Sequence, residues 1–238
     1  MLQNRIPKTA FLVACATIAL TAPKRASAGE VTGNLALPDN LGKPPQRSTG
    51  FVPRVSNPLK TARSYDPRPQ MVVILAGDIP AEAKAAPKRP VEISLLGESF
   101  EKRFVAVASG SRVLLRNNGR GKPRLYSPSH SDLFSDSGPV SRKGRREVQI
   151  KGEFKVFKVG DRDSVHLELG ILSVPHTLFA TVGSGGTFKI PNVPPGKYRV
   201  RVWFKDGWLD KAEGSVQVGR RGGKVTLKLP SDLKAKGS

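Results

Sequence analysis

The chain has 238 residues, room for one sizeable β domain or two small ones. Lys plus Arg number 40 against 19 Asp plus Glu, a formal net charge of +21, with a single cysteine. This excludes a disulfide framework and a multi-cysteine metal centre, and the charge favours polyanionic partners. Gly (24) and Pro (20) are abundant among Val- and Ile-rich runs, a composition that suits short strands joined by turns.

The first 28 residues read as a secretory signal. Arg5 and Lys8 precede the apolar run Thr9 to Ala22, too short to span a bilayer, and "ASA" (Ala26 to Ala28) supplies the small residues of a cleavage site. Cleavage after Ala28 makes the mature protein periplasmic or secreted, without a transmembrane segment. It removes four bases and no acid, which lowers +21 by four to +17. The alternative is a lipoprotein signal ending at Cys15, with a very short apolar region. If Ala28 is the cut, no thiol remains for a blue-copper ligand or a nucleophile.

Next, "GEVTGNLAL" alternates as a strand would, with Val31, Leu35 and Leu37 on one face. Pro38 to Gln70 is proline-rich and aperiodic, a long extended loop. "MVVILAG" (Met71 to Gly77) is a continuous apolar run, which predicts a strand buried on both faces. "DIPAEAKAAPKRP" reads as a loop. From Val91, strands are predicted at "VEISLLG", "RFVAVAS", "SRVLLRNN" and "PRLYS", then a polar loop from His130 to Arg146. "EVQIKGEFKVFKVG", "DSVHLELGILSVPHTLFATVG", "GTFKI", "KYRVRVWF", "EGSVQV" and "KVTLKL" complete the strands. Residues 231–238 read as a polar, frayed tail, and no helix is predicted.

Two resemblances follow from these segments. "GSGGTFKIPNVPPGKYRVRVW" (Gly183 to Trp203) resembles the "G-x-F-x-I-x-N-V-P-P-G-x-Y-x-V" signature of carboxypeptidase regulatory-like, transthyretin-like β-sandwiches. Phe188 and Ile190 would enter the core, Pro194, Pro195 and Gly196 would form a hairpin turn, and Tyr198, Val200 and Val202 would share a face. "GSRVLLRNNG", "PRLYS" and "DSVHLEL" are similar, in order and spacing, to the copper-site segments of plastocyanin-like cupredoxins of the methylamine-utilisation-protein type. Together these imply an all-β chain. A cupredoxin-like Greek-key module (91–174) is inserted in or packed on a sandwich formed by 29–90 and 175–230.

The copper resemblance fails at its ligands. A blue-copper site needs one thiolate and two imidazoles, with a weak axial ligand. Its positions fall on Pro123, Asp163, His166 and Leu169, so one ligand of four remains and no cofactor is expected. If a metal were bound, His166 and Asp163 would be its ligands. The alternation of "SVHLELG" places His166 on a strand with Ser164 and Glu168. His130 and His176 are scattered. Asp132 and Asp136 in "SDLFSDSG" lack the spacing of a calcium loop, and "GSGG" (Gly183 to Gly186) lacks the nucleophile-elbow spacing.

Basic runs remain: "GRGKPR" with Arg120, Lys122 and Arg124, "SRKGRR" with Arg142, Lys143, Arg145 and Arg146, and "GRRGGK" (Gly219 to Lys224). Aromatics make up 6% of the chain and do not interleave with these runs, so nucleic acid is not the expected partner. The expected function is an exported, non-catalytic binding or structural protein meeting an anionic cell-envelope polymer or protein partner through basic loops. One alternative is a metal or redox protein using His166. Another is a carbohydrate-binding module in which Trp208 stacks on a sugar.

Overall fold

The computed structural model describes residues 28–38, 66–97, 99–134, 138–164, 166–230 and 235–237. Residues 1–27 of the expected signal, with Cys15, most of the Pro-rich loop and Asp136 lie outside these residues. The chain is almost entirely β, as the alternating segments require. Among the described residues the exceptions are one short helix, α1 (Ala81–Lys84), in a segment expected to be loop, and two single 3-10 turns.

One sandwich joins the two ends of the chain. Its three-stranded sheet places β1 (Gly29–Ala36) between β12 (Thr187–Val193), antiparallel, and β15 (Gly223–Lys228), parallel. Its second sheet runs in the order β11 (Phe179–Thr181), β2 (Met71–Ala76), β13 (Gly196–Phe204), β14 (Gly207–Val218) and β16 (Ala235–Gly237). The tail expected to fray thus adds a short antiparallel strand to β14. Val31, Leu35, Phe188 and Ile190 from the first sheet pack against Val73, Leu75, Val200 and Val202 from the second.

The intervening chain forms another sandwich. One sheet has the order β4 (Ser99–Phe100), β3 (Val91–Leu96), β6 (Arg112–Asn117) and β8 (Arg145–Gln149). The other has β5 (Phe104–Ala108), β10 (Glu168–Val174), β9 (Lys155–Asp161) and β7 (Leu125–Tyr126). The β3–β6 and β5–β10 pairs are parallel, so each strand pair is joined by a crossover between the sheets. Ile93, Val113 and Leu115 face Val105, Phe157 and Ile171 across this core.

A third apolar layer explains the doubly buried strands. Val72 and Ile74 of β2, with Trp203 of β13, pack on Phe104 and Ala106 of β5 and Leu172 and Val174 of β10. Met71, Val73 and Leu75 of the same β2 point the other way, into the first core. Both faces of β2 and β5 are therefore inside, which is why their sequences are continuous apolar runs rather than alternations. The four sheets form one stack with apolar layers between them.

The "VPPG" segment is not a hairpin turn. Strand β12 belongs to the three-stranded sheet, and β13 pairs with β2 and β14 in the other. Pro194 and Pro195 therefore carry the chain across the core from sheet to sheet. Two prolines donate no backbone hydrogen bond, so they suit a crossing that joins no ladder. The Tyr198 hydroxyl donates to the Pro194 carbonyl at 3.1 Å and ties this corner down. Burial, with the Asp78 charge second, raises the Tyr198 pKa above its ordinary value.

Candidate functional site

The positions that correspond to copper ligands do not face a common space. Pro123 and Asp163 line one cleft, with Arg120, Lys122 and Asp161. His166 and Leu169 border a different one. Leu169 is 1% exposed and belongs to the apolar core. Among the described residues no group of three or more His, Cys, Asp or Glu is placed to hold a metal ion.

Asp163 has a cationic partner instead. Arg124 Nε donates to Asp163 Oδ2 at 2.8 Å, and Arg124 Nη2 donates to Oδ1. Accepting from Arg124 holds the Asp163 carboxyl below its usual range, and donating to Asp163 raises the Arg124 pKa. Beneath them, the buried Asp161 accepts from the Arg124 backbone N–H at 2.7 Å.

His166 is not on a strand. Strand β10 begins at Glu168, and Leu167 N–H donates to the Ser164 carbonyl, closing a turn that leaves His166 exposed. The period-2 pattern of "SVHLELG" therefore holds only from Leu167 onward. The ladder of β9 ends at Asp161, opposite Leu125, and Asp163 beyond it pairs with Arg124. His130 lies against the Phe157 ring, with centroids 4.3 Å apart, and its Nδ1 is 2.9 Å from Ser129 Oγ. His176 is buried, and its Nδ1 accepts from Leu178 N–H at 3.2 Å. Burial lowers the pKa of both, aided by Lys155 at His130 and by Lys84 at His176.

The basic runs 119–124 and 141–146 meet at one end of the second sandwich. The residue that joins them is Asn117, 2% exposed at the end of β6. Its Nδ2 donates to the Gly121 carbonyl at 2.8 Å and the Val140 carbonyl at 2.9 Å. Its Oδ1 accepts from Gly119 N–H at 2.9 Å. In addition, Lys143 N–H donates to the Asn117 carbonyl at 2.8 Å. One side chain and its backbone thus hold both loops. The sequence carries a signal for this residue: Val113 and Leu115 alternate inward, and Asn117 is next in that phase.

Within the joined loops, Arg120, Lys122, Arg142, Lys143 and Arg145 are exposed, with no side-chain partner among the described residues. Arg124 is held by Asp163, and Arg146 Nη2 donates to the Gly138 carbonyl at 3.0 Å. Arg145 stands opposite Arg116 in the β6–β8 register, and Arg116 is paired with Glu92. Neither run, 119–124 or 141–146, contains an acidic residue. The third basic run, around Gly219 to Lys224, lies at the β14–β15 turn of the other sandwich.

Trp208 is not an open platform. It is half-buried at the margin of the layer between the sandwiches, 5.0 Å from the rings of both Trp203 and Phe154. The Arg201 guanidinium lies over its ring at 4.1 Å.

Residues 178–227, spanning most of β11 to β15, match the family model described as "Polysaccharide lyase family 4, domain II". The Gly183 to Trp203 segment falls within that match. No curated protein matches the chain. Among solved structures, a purple cupredoxin from Nitrosopumilus maritimus is 15% identical, covering 35% of this chain and 98% of its own, with a TM-score of 0.32. The oxidised plastocyanin of Dryopteris crassirhizoma is 10% identical, covering 35% of this chain and 99% of its own, with a TM-score of 0.31. A copper-containing nitrite reductase from Thermus scotoductus is 14% identical, covering 40% of this chain and 24% of its own, at 0.31. These are similarities over part of the chain. No helix among the described residues is long and apolar enough to cross a membrane.

Proposed function

We propose that this is an exported binding protein whose joined basic loops contact an anionic polymer of the cell envelope. The supporting observation is the bracing of two basic runs by Asn117, which gathers Arg120, Lys122, Arg142, Lys143 and Arg145 at one end of the second sandwich. Loops held by buried hydrogen bonds present their charges with less ordering cost on binding than free loops would. Separated like charges on such a surface attract a polyanion through its field and lose that attraction as salt rises.

The polymer class we favour is an acidic polysaccharide. The family model matching residues 178–227 carries polysaccharide lyase in its description, and the cationic loops supply the charge preference. The role is one of binding rather than catalysis. Chromatography on an immobilised uronate polymer tests it. The protein should be retained at low salt and elute in a gradient, and Arg142→Ser with Lys143→Ser should elute at clearly lower salt. Retention independent of salt, or unchanged in that double variant, would overturn the reading.

A further inference from the structure

The apolar layer between the two sandwiches does not cover the whole sheet that contains β5, β9 and β10. Phe104, Ala106, Leu172 and Val174 are covered. Beyond them the same face continues through Gly160 and Gly170, and there a cleft of about 690 Å³ opens. Its far wall, Gln70, Lys205 and Asp206, comes from the other sandwich. Lys158 reaches Asp206 across the gap at 3.6 Å, so the two halves are bridged at its rim. The volume lies within the roughly 300–1,000 Å³ usual for small-molecule sites, which favour such junctions.

The floor is shaped by two glycines. A Cβ on Gly170 would stand 2.7 Å from the Phe104 ring, and one on Gly160 would stand 3.0 Å from the Tyr126 ring. Only bare backbone at these positions lets both rings lie close against the sheet. Around them stand hydrogen-bonding side chains without a partner among the described residues: Gln70, Arg103, the Tyr126 hydroxyl, His166 and Glu168. This arrangement suits a pyranose ring. Its C–H face can lie on flat apolar surface, while its hydroxyls need donors and acceptors together around the edge.

The charges narrow the class. Asp206 is matched by Lys158, whereas Arg103 and Lys205 have one carboxylate, Glu168, between them. A guanidinium binds a carboxylate through two parallel hydrogen bonds. We infer that the inter-sandwich cleft is a binding site for an acidic sugar, with Arg103 holding the sugar carboxylate and His166 and Glu168 binding hydroxyls. This cleft is distinct from the one bordered by Arg120 and Lys122.

Calorimetric titration of the full mature chain with trigalacturonate, and with neutral maltotriose as the comparison, tests the site. Trp203 and Trp208 flank the Lys205–Asp206 turn, so their fluorescence provides a second signal. The expected result is saturable one-to-one binding of trigalacturonate, much weaker binding of maltotriose, and a loss of about tenfold or more in Arg103→Ala, the scale of one charged hydrogen bond. Arg103 is exposed, so that variant should keep the wild-type unfolding temperature. Lys143→Ala on the basic loops should leave trimer binding unchanged, which separates this site from polymer retention. Absence of saturable binding, equal binding of the neutral trimer, or binding unchanged in Arg103→Ala would overturn the inference.

Discussion

Asn117 Nδ2 donates to the Val140 carbonyl at 2.9 Å from a position that is 2% exposed. This buried amide ties strand β6 to the loop leading into β8, and its other bonds tie it to Gly119 and Gly121. Such a group is costly to disturb, because its removal leaves several buried backbone groups without partners.

Asn117→Ala should therefore destabilise the protein by about 2–4 kcal/mol, since more than one buried hydrogen bond is lost. Urea unfolding followed by circular dichroism measures this. The same variant should elute from a polyanion resin at lower salt, because its basic loops are no longer held together. A loss below about 0.5 kcal/mol would mean that the loops are braced by something else.

Trp208→Ala should act on stability rather than on sugar recognition. The ring packs against Phe154 and Trp203 and under Arg201 at the edge of the layer joining the two sandwiches. Full burial of such a ring is worth about 3–5 kcal/mol on truncation to Ala, and half-burial scales this to roughly 2 kcal/mol. Phe154 has φ +49, a strained conformation for an aromatic residue, and its contact with Trp208 helps to hold it there. Thermal unfolding checks the size of the loss, and a fall in midpoint without any change in polymer retention is the expected pair of results.

Stability should fall as pH drops below about 6.5, the ordinary histidine value. His176 and His130 have lowered pKa values in the folded protein, so the unfolded chain binds protons first as acid is added. The native state is disfavoured from the unfolded pKa down to the depressed folded one, with a slope of up to about 1.4 kcal/mol per pH unit per group. The groups facing His176 are the Leu178 N–H, the Leu75 backbone and Lys84. Denaturation midpoints between pH 5 and 8 should show a shallower dependence in His176→Gln than in the wild type.

Asp163→Asn should leave the unfolding temperature almost unchanged, because its pair with Arg124 is exposed on both sides and solvent screens it. It frees the Arg124 guanidinium and removes one negative charge beside Lys122 and Arg120. Retention on an anionic resin should therefore move to higher salt. Elution at the wild-type salt concentration would show that this end of the sandwich takes no part in binding.

Much of the secondary structure was legible in local pattern. Strand β6 alternates because one side faces a core and the other water. The run "MVVIL" is continuous because both of its faces are covered. What the pattern did not contain was partner choice. "NVPPGKY" reads as a hairpin turn, yet β12 and β13 lie in different sheets, since each is better paired elsewhere: β12 with β1, and β13 with β2 and β14. The segment "DSVHLEL" alternates like a strand, but a turn closed by Leu167 N–H on the Ser164 carbonyl precedes β10, and Asp163 is paired with Arg124, far away in sequence.

Composition and periodicity by themselves determined an all-β chain, strongly basic, with basic runs at turns and a single cysteine. These are local properties, set by side-chain type and by which residues alternate. Only the tertiary structure decided that the Pro123, Asp163, His166 and Leu169 positions part into two clefts, that Asn117 fastens two basic loops together, and that Trp208 is covered by Arg201. It alone brings Gln70, Arg103, His166 and Lys205 to one inter-sandwich cleft. These residues are far apart in the chain, and their proximity follows from sheet stacking, which buries apolar faces without regard to sequence separation.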